Sequence, residues 1–127
     1  MIAIDTNVLV RLLTGDDPAQ TQRAAALFAS NNILIPKTVL LETEWVLRFS
    51  YELTPEVVLT AFRKTLGLPQ VTVEDAHAVA AALANYEDGM DFADALHLSS
   101  ATKAESFATF DARLKKRAGK QANVKLL

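Results

Sequence analysis

The chain has 127 residues, of which 50% are hydrophobic and 22% charged, with 4 glycines, 4 prolines and no cysteine. This length and composition predict one folded domain over residues 1–127 and exclude long disordered segments, disulfide bonds and thiolate metal sites. Thirteen Lys and Arg against 15 Asp and Glu give a net charge of −2, which argues against nucleic-acid binding through bulk positive charge.

The first half of the chain predicts short strands that alternate with helices. Residues 2–5 form an apolar run typical of a buried strand, and polar side chains that favour turns and helix caps follow it. Beyond this point the pattern predicts further elements in chain order. The helices are expected over 8–13, 18–30, 38–51 and 55–67, and the strands over 33–35 and 71–73.

The second half continues the alternation. Helices are predicted over 74–86, 91–105 and 111–118, and strands over 106–110 and 124–127. Short apolar strands between longer helices are typical of βαβ units. The predicted fold class is therefore α/β, with a central parallel sheet of short strands and helices on both of its faces.

No apolar run in the chain reaches the roughly 20 residues that a membrane-spanning helix requires. The N-terminal segment contains Asp5 and Asn7 and no basic leader, so a signal peptide is not expected there. These observations predict a soluble cytoplasmic protein.

Five acids stand in strand-end or apolar surroundings. Asp5 and Asp111 each follow a predicted strand, and Glu42 lies in a helix that is otherwise typical of a buried segment. Asp91 and Asp94 are three residues apart, so they share one helix face among core-type neighbours. Acids in such positions are candidates for a functional site.

Each of these acids also has a purely structural interpretation. Asp94 lies in a first turn, where the helix dipole favours a carboxylate, and Glu42 and Glu44 are spaced so that one of them faces solvent. The remaining three would be helix N-caps: Asp5, Asp91 and Asp111.

The arrangement of strand ends favours a shared metal site. In a parallel sheet with right-handed crossovers, strand ends of one polarity gather along one edge. Several carboxylates there would repel one another unless a cation neutralised them. Oxygen ligands suit Mg²⁺ or Mn²⁺, which activate water and stabilise charge on a phosphoryl group. The acids therefore predict a divalent-metal site for phosphoryl transfer or nuclease chemistry.

Four segments, taken in order, resemble the PIN-domain ribonucleases, and among them the VapC-like toxins of bacterial toxin–antitoxin pairs. The segments are residues 4–10 (Ile-Asp-Thr-Asn-Val-Leu-Val), the stretch around Glu42, residues 91–98 and residues 109–111. The resemblance covers nearly the whole chain. It implies an endoribonuclease that uses Mg²⁺ or Mn²⁺ to activate a water for attack on an RNA phosphodiester.

The resemblance also implies roles for individual acids. The family's first metal-binding aspartate falls on Asp5, its glutamate on Glu42, its helical aspartate on Asp94 and its last acid on Asp111. All four are expected to be catalytic. Metal ligation is expected from three of them: Asp5, Asp94 and Asp111.

Four further residues take accessory roles by the same resemblance. Asp91, one turn before the helical aspartate, is expected to be an accessory ligand or to support the ligands. Thr6 and Asn7 are expected to orient Asp5 or bound water, and Thr109 to hydrogen-bond near the site.

The resemblance implies protein partners as well. A cognate antitoxin would lay its C-terminal segment in a groove and cover the acidic site, and the chain would form a homodimer or a toxin–antitoxin hetero-oligomer through apolar helices. Residues 45–51 with 57–62 would supply that surface, although we interpret them, Trp45 included, as core. His97 is interpreted as a packing residue, because a metal nuclease needs no imidazole base.

Six basic residues and no acid occupy positions 113–125: Arg113, Lys115, Lys116, Arg117, Lys120 and Lys125. They are consistent with a patch that meets phosphates. We nevertheless interpret them as a solvated helix face and tail, which is the more common role of such a charge run.

Two other classes of function compete with the ribonuclease. A non-catalytic PIN-like module that binds RNA or protein predicts gaps in the acid set, and no expected position is missing. A haloacid-dehalogenase-like phosphatase needs a second Asp where Asn7 stands, and a receiver domain needs a lysine at a late strand end. No residue selects among transfer, ribosomal and messenger RNA as the substrate.

Overall fold

The computed structural model describes residues 1–127 and contains seven helices and five short strands. In chain order they are β1 (Ile2–Ala3), α1 (Thr6–Thr14), α2 (Pro18–Ser30), β2 (Ile33–Ile35), α3 (Lys37–Phe49), α4 (Pro55–Leu66), β3 (Val71–Val73), α5 (Ala76–Glu87), α6 (Phe92–Ser99), β4 (Phe107–Thr109), α7 (Ala112–Ala118) and β5 (Val124–Leu126). Contacts along the chain group into two compact units, Met1–Ala76 and His77–Leu127. None of the helices combines the length and apolar character needed to cross a lipid bilayer.

The first unit is built on a parallel sheet of three strands in the order β1-β2-β3. Ile33 on the central strand pairs with Ile2 on one side and Val71 on the other, and it is fully buried. The expectation of a buried strand over residues 2–5 is wrong in part, since both residues of β1 are exposed and only Ile4, just after it, is buried. β1 is paired on one side only, which leaves its side chains at the margin of the sheet.

Local capping chemistry sets where the helices of the first unit begin. Asp17 accepts a hydrogen bond from the backbone N–H of Gln20 at 3.1 Å, with Pro18 as the first helical residue of α2. Thr54 caps α4 in the same way, with Pro55 in the first position. Both beginnings agree with the sequence prediction. The helices bury a core that includes Leu9, Val10, Phe28, Leu40, Leu47, Val58 and Phe62.

The second unit contains a two-stranded parallel sheet formed by β4 and β5, against which α7 packs. Its helix α5 ends in a Schellman motif, in which Gly89 at φ +100° donates its N–H to the carbonyl of Tyr86 and Met90 donates to that of Asn85, both at 3.0 Å. Met90 is buried. The motif therefore fixes the turn from which α6 begins.

The α/β class with short parallel strands is confirmed. The strands divide between a three-stranded sheet in the first unit and a two-stranded sheet in the second. The helix expected over 91–105 is shorter than predicted, because α6 ends at Ser99. The hydroxyl of Ser99 donates to the carbonyl of Leu96, and such serine hydrogen bonds compete with helical backbone pairing.

Candidate functional site

Thr6 connects the first two candidate acids within the first unit. Asp5 is the N-cap of α1, and its carboxylate accepts a hydrogen bond from the backbone N–H of Val8 at 3.3 Å. The next side chain, Thr6, is buried and donates from Oγ1 to Oε1 of Glu42 on α3. Since α1 and α3 pack on each other, this bond holds Glu42 at the N-terminal end of α1.

The three aspartates expected as possible N-caps do cap helices: Asp5 caps α1, Asp91 caps α6 and Asp111 caps α7. Asp91 accepts from the N–H of Asp94 at 3.1 Å, and Asp111 accepts from two N–H groups of the first turn of α7 at 2.8 and 3.2 Å. In each case a single carboxylate oxygen serves the cap. The second oxygen has no hydrogen-bond donor in the protein. Capping and ligand binding are therefore compatible roles for these residues.

Asp94 is half-buried in the first turn of α6. Burial raises the pKa of its carboxyl, the charges of Asp91 and Asp111 raise this pKa further, and His97 lowers it. Asp94 thus lies close enough to Asp91 and to Asp111 for the charge of each to act on it. His97 is exposed rather than packed, and its position one turn after Asp94 explains its electrostatic effect.

The chemistry of this donor set fits a hard divalent cation. Asp91, Asp94 and Asp111 offer carboxylate oxygens, the ligands that Mg²⁺ and Mn²⁺ prefer, and the Asp94 carboxylate has no hydrogen-bond donor in the protein. Within neither unit do three His, Asp or Glu side chains come together as a group that could hold a metal ion by itself. Mg²⁺ commonly binds one or two carboxylates and takes its other ligands from water and substrate phosphate, so an open set of this kind suits it.

The accessory residues differ in what they contact. Thr109, at the end of β4, accepts a hydrogen bond at Oγ1 from the backbone N–H of Asp111 at 3.0 Å, so it orients the cap of α7. Thr6 bonds to Glu42 rather than to Asp5. Asn7 is exposed and lines a groove of about 450 Å³ between α1 and α2, together with Val8, Arg11, Gln20, Arg23, Ala24 and Leu27.

Helix α3 exposes two aromatic side chains that sequence analysis assigned to the core. Trp45 is 57% exposed and Phe49 is 64% exposed, and their ring centroids lie 5.4 Å apart. The buried face of this helix contains Glu44 and Leu47 instead, and Glu44 forms an ion pair with Arg48 at 3.5 Å. The interpretation of Trp45 as a core residue is therefore wrong, because the apolar stripe of α3 is wider than the face that the fold buries.

The sequence does not predict the exposure of Phe110, which lies between Thr109 and Asp111 and is 83% exposed. The expected strand over 106–110 includes this residue, but β4 ends at Thr109. The sequence does contain one signal for a role of Phe110, because a large aromatic residue stands directly before the candidate site acid Asp111.

Comparison with known families agrees with these features. The model of the PIN domain family matches residues 2–120, a range that contains all the candidate acids. No curated protein matches the chain. PIN domains typically have the fold of metal-dependent nucleases, which are hydrolases. With a match over nearly its whole length, the chain belongs to the PIN domain family.

Proposed function

We propose that this protein is a divalent-metal-dependent endoribonuclease and acts as the toxin of a toxin–antitoxin pair. The observation that carries the proposal is the set of carboxylate oxygens of Asp91, Asp94 and Asp111 that have no donor in the protein, in a chain of a family whose members are typically nucleases. The catalytic acids are those that the family resemblance indicates: Asp5, Glu42, Asp94 and Asp111.

Asp5, Asp94 and Asp111 would hold Mg²⁺ or Mn²⁺ through the oxygens that capping and backbone bonds leave free. When bound, the cation supplies Lewis acidity that polarises the phosphodiester and makes water a better nucleophile. The hydrogen bond from Thr6 leaves Glu42 exposed with its second oxygen available to accept a hydrogen bond from the attacking water. Thr109 holds the backbone of Asp111 and so limits the orientations of that carboxylate.

The test is metal-dependent cleavage of total bacterial RNA by the purified chain, in Mg²⁺, in Mn²⁺ and in EDTA. Asp5→Asn and Asp94→Asn each remove one proposed ligand, one in each unit, and are expected to lower the cleavage rate at least about a hundredfold. Glu56→Gln is the matched control, since Glu56 is an exposed acid on α4 outside the candidate set. Cleavage that persists in EDTA or in both Asn variants would contradict the proposal.

The toxin role has its own test. The groove between α1 and α2 is lined by Asn7, two residues after Asp5 in the chain, and combines apolar side chains with Arg23 and Arg11, which supports it as the binding site of an antitoxin segment. Induced expression of the unaltered chain in a bacterial host is expected to stop growth, and the Asp94→Asn variant is expected to leave growth unaffected. Normal growth with a chain that cleaves RNA in vitro would contradict the toxin role alone.

The alternative is a non-catalytic PIN-like module that binds RNA or protein. Saturable RNA binding without metal-dependent cleavage would favour this alternative over the ribonuclease.

A further inference from the structure

Phe110 is the most exposed large hydrophobic residue of the chain. It stands between the end of β4 and the start of α7, directly before Asp111, whose carboxylate caps that helix. Burial of apolar surface drives folding, and this ring contributes very little of it. An aromatic ring that stands in solvent beside a candidate site acid is available to a ligand.

The helix that follows Phe110 carries an unbalanced positive charge. Four of the seven residues of α7 are Lys or Arg, and none is acidic. Arg113, Lys116 and Arg117 are spaced for one helix face and line the same open cavity of about 460 Å³. No salt bridge in the structure includes any of them. These charges are therefore free to meet an anion.

All three cations are exposed. The guanidinium of Arg117 lies beside Gly89, so that a Cβ added to this glycine would lie 2.8 Å from Nη1. Arg113 and Lys116 are nearer to Phe110 in the chain and are the two cations considered with its ring.

We infer that Phe110 and the basic face of α7, defined by Arg113 and Lys116, form a subsite for single-stranded RNA. An unpaired base stacks on the ring of Phe110, and the neighbouring phosphates contact the two cations. The subsite rests on the proposed ribonuclease function, because Asp111, one of the proposed catalytic acids, lies in the chain between Phe110 and the two cations. In this subsite, α7 helps to position the RNA substrate.

The side-chain chemistry favours RNA over a protein partner. Aromatic rings beside cationic side chains are the usual means of holding single-stranded nucleic acid, because every base has a face to stack and every linkage has a charge. A duplex keeps its bases stacked on one another, so an open ring selects an unpaired base. A protein partner would instead need apolar surface around Phe110, and its neighbours Ala108, Asp111 and Ala112 are small or charged and exposed.

The first experiment measures binding of a short, fluorescently labelled polyuridine to the full chain by anisotropy, in EDTA so that metal-dependent cleavage is absent. Phe110→Ala is expected to weaken binding by roughly 5- to 100-fold, the usual effect of losing one stacked base. Phe110→Trp is expected to restore it. Phe49→Ala is the matched control, since Phe49 is an exposed aromatic residue on α3, outside the proposed subsite.

The second experiment measures how the affinity depends on salt. Arg113→Gln and Lys116→Gln are each expected to reduce the slope of log Kd against log salt by about 0.7, the value for one phosphate contact on a single strand. Lys103→Gln, an exposed lysine of the same unit that lies outside α7, is expected to leave the slope unchanged.

The subsite is overturned if Phe110→Ala binds polyuridine as tightly as the unaltered chain does, or if Phe110→Ala and Phe49→Ala lose the same amount of affinity. It is also overturned if polyuridine does not bind at about 100 µM protein, the weak limit of non-specific affinities. Unchanged RNA affinity in Phe110→Ala would leave a protein partner as the ligand of this ring. Failure of the ribonuclease proposal is distinguishable, because it appears as absent cleavage while the binding differences remain.

Discussion

The hydroxyl of Thr6 donates a hydrogen bond to the carboxylate of Glu42, a residue 36 positions away in the chain. Thr6→Val keeps the shape of this buried side chain and removes the donor. We expect it to lower the cleavage rate by roughly 10- to 100-fold, the usual effect of losing a partner that orients a site carboxylate. RNA-cleavage assays measure the change.

Thr6→Ser supplies the control for this substitution, because it restores the hydroxyl while leaving out the methyl group. It is expected to recover most of the activity. Equal losses in the Val and Ser variants would show that packing at position 6, and not the bond to Glu42, matters.

Asp94→Asn is expected to stabilise the metal-free protein. Burial and the charges of Asp91 and Asp111 raise the pKa of Asp94, so its ionised form opposes folding above that pKa. Removal of the charge should raise the free energy of unfolding near neutral pH by roughly 0.2–0.5 kcal/mol, the size of one like-charge pair on a helix surface that solvent screens. Urea unfolding in EDTA measures it.

The gain in the free energy of unfolding from Asp94→Asn is also expected to depend on pH. A carboxyl whose pKa is higher in the folded state takes up protons on folding, so its penalty disappears as pH falls through the folded pKa. The difference between Asp94→Asn and the unaltered chain should therefore shrink on acidification. A variant that is less stable than the unaltered chain at neutral pH would instead indicate that the Asp94 carboxylate serves the fold.

Gly89→Ala is expected to destabilise the second unit. The φ of +100° at this position strains any residue with a Cβ. The added atom would also lie 2.8 Å from Nη1 of Arg117, so the end of this flexible side chain would have to move. We expect a loss of about 1–2 kcal/mol in the free energy of unfolding, measured with urea. Gly15→Ala, at φ +66° with open space around it, should cost less. Equal costs would show that the contact with Arg117 adds nothing.

The aromatic pair on α3 predicts self-association, in line with the homodimer that the family resemblance implies. Trp45 and Phe49 expose a continuous apolar patch, with the guanidinium of Arg48 5.8 Å from the centre of the Phe49 ring. The unaltered chain is expected to sediment as a dimer and the Trp45→Ala, Phe49→Ala double variant as a monomer. Phe110→Ala should leave the dimer unchanged. A monomeric unaltered chain would contradict this prediction.

Local signals in the sequence predicted much of the fold. The pairs Asp17 with Pro18 and Thr54 with Pro55 marked helix starts, because a cap and a proline act on their own neighbours. The N-capping role of Asp111 was equally visible. Such features depend on a few adjacent residues and need no knowledge of the tertiary structure.

What the sequence could not predict depends on tertiary packing. The pattern of α3 shows a broad apolar stripe, but which part of it is buried depends on the elements packed against it, so Trp45 was misassigned. The hydrogen bond between Thr6 and Glu42 joins segments that are distant in the chain, and no spacing of residues in the sequence predicts it. The exposure of Phe110 depends on where β4 ends, and a strand end is uncertain by more than one residue in a run as short as 106–110.

Calorimetric titration of Mn²⁺ into the partner-free chain, its Asp5→Asn and Asp94→Asn variants, and the Glu56→Gln control tests the proposed metal site most directly. We expect saturable binding that each Asn substitution weakens at least about tenfold and that Glu56→Gln leaves intact. The site is ruled out if a chain that unfolds cooperatively shows no saturable binding, or if both Asn variants bind Mn²⁺ as tightly as the unaltered protein.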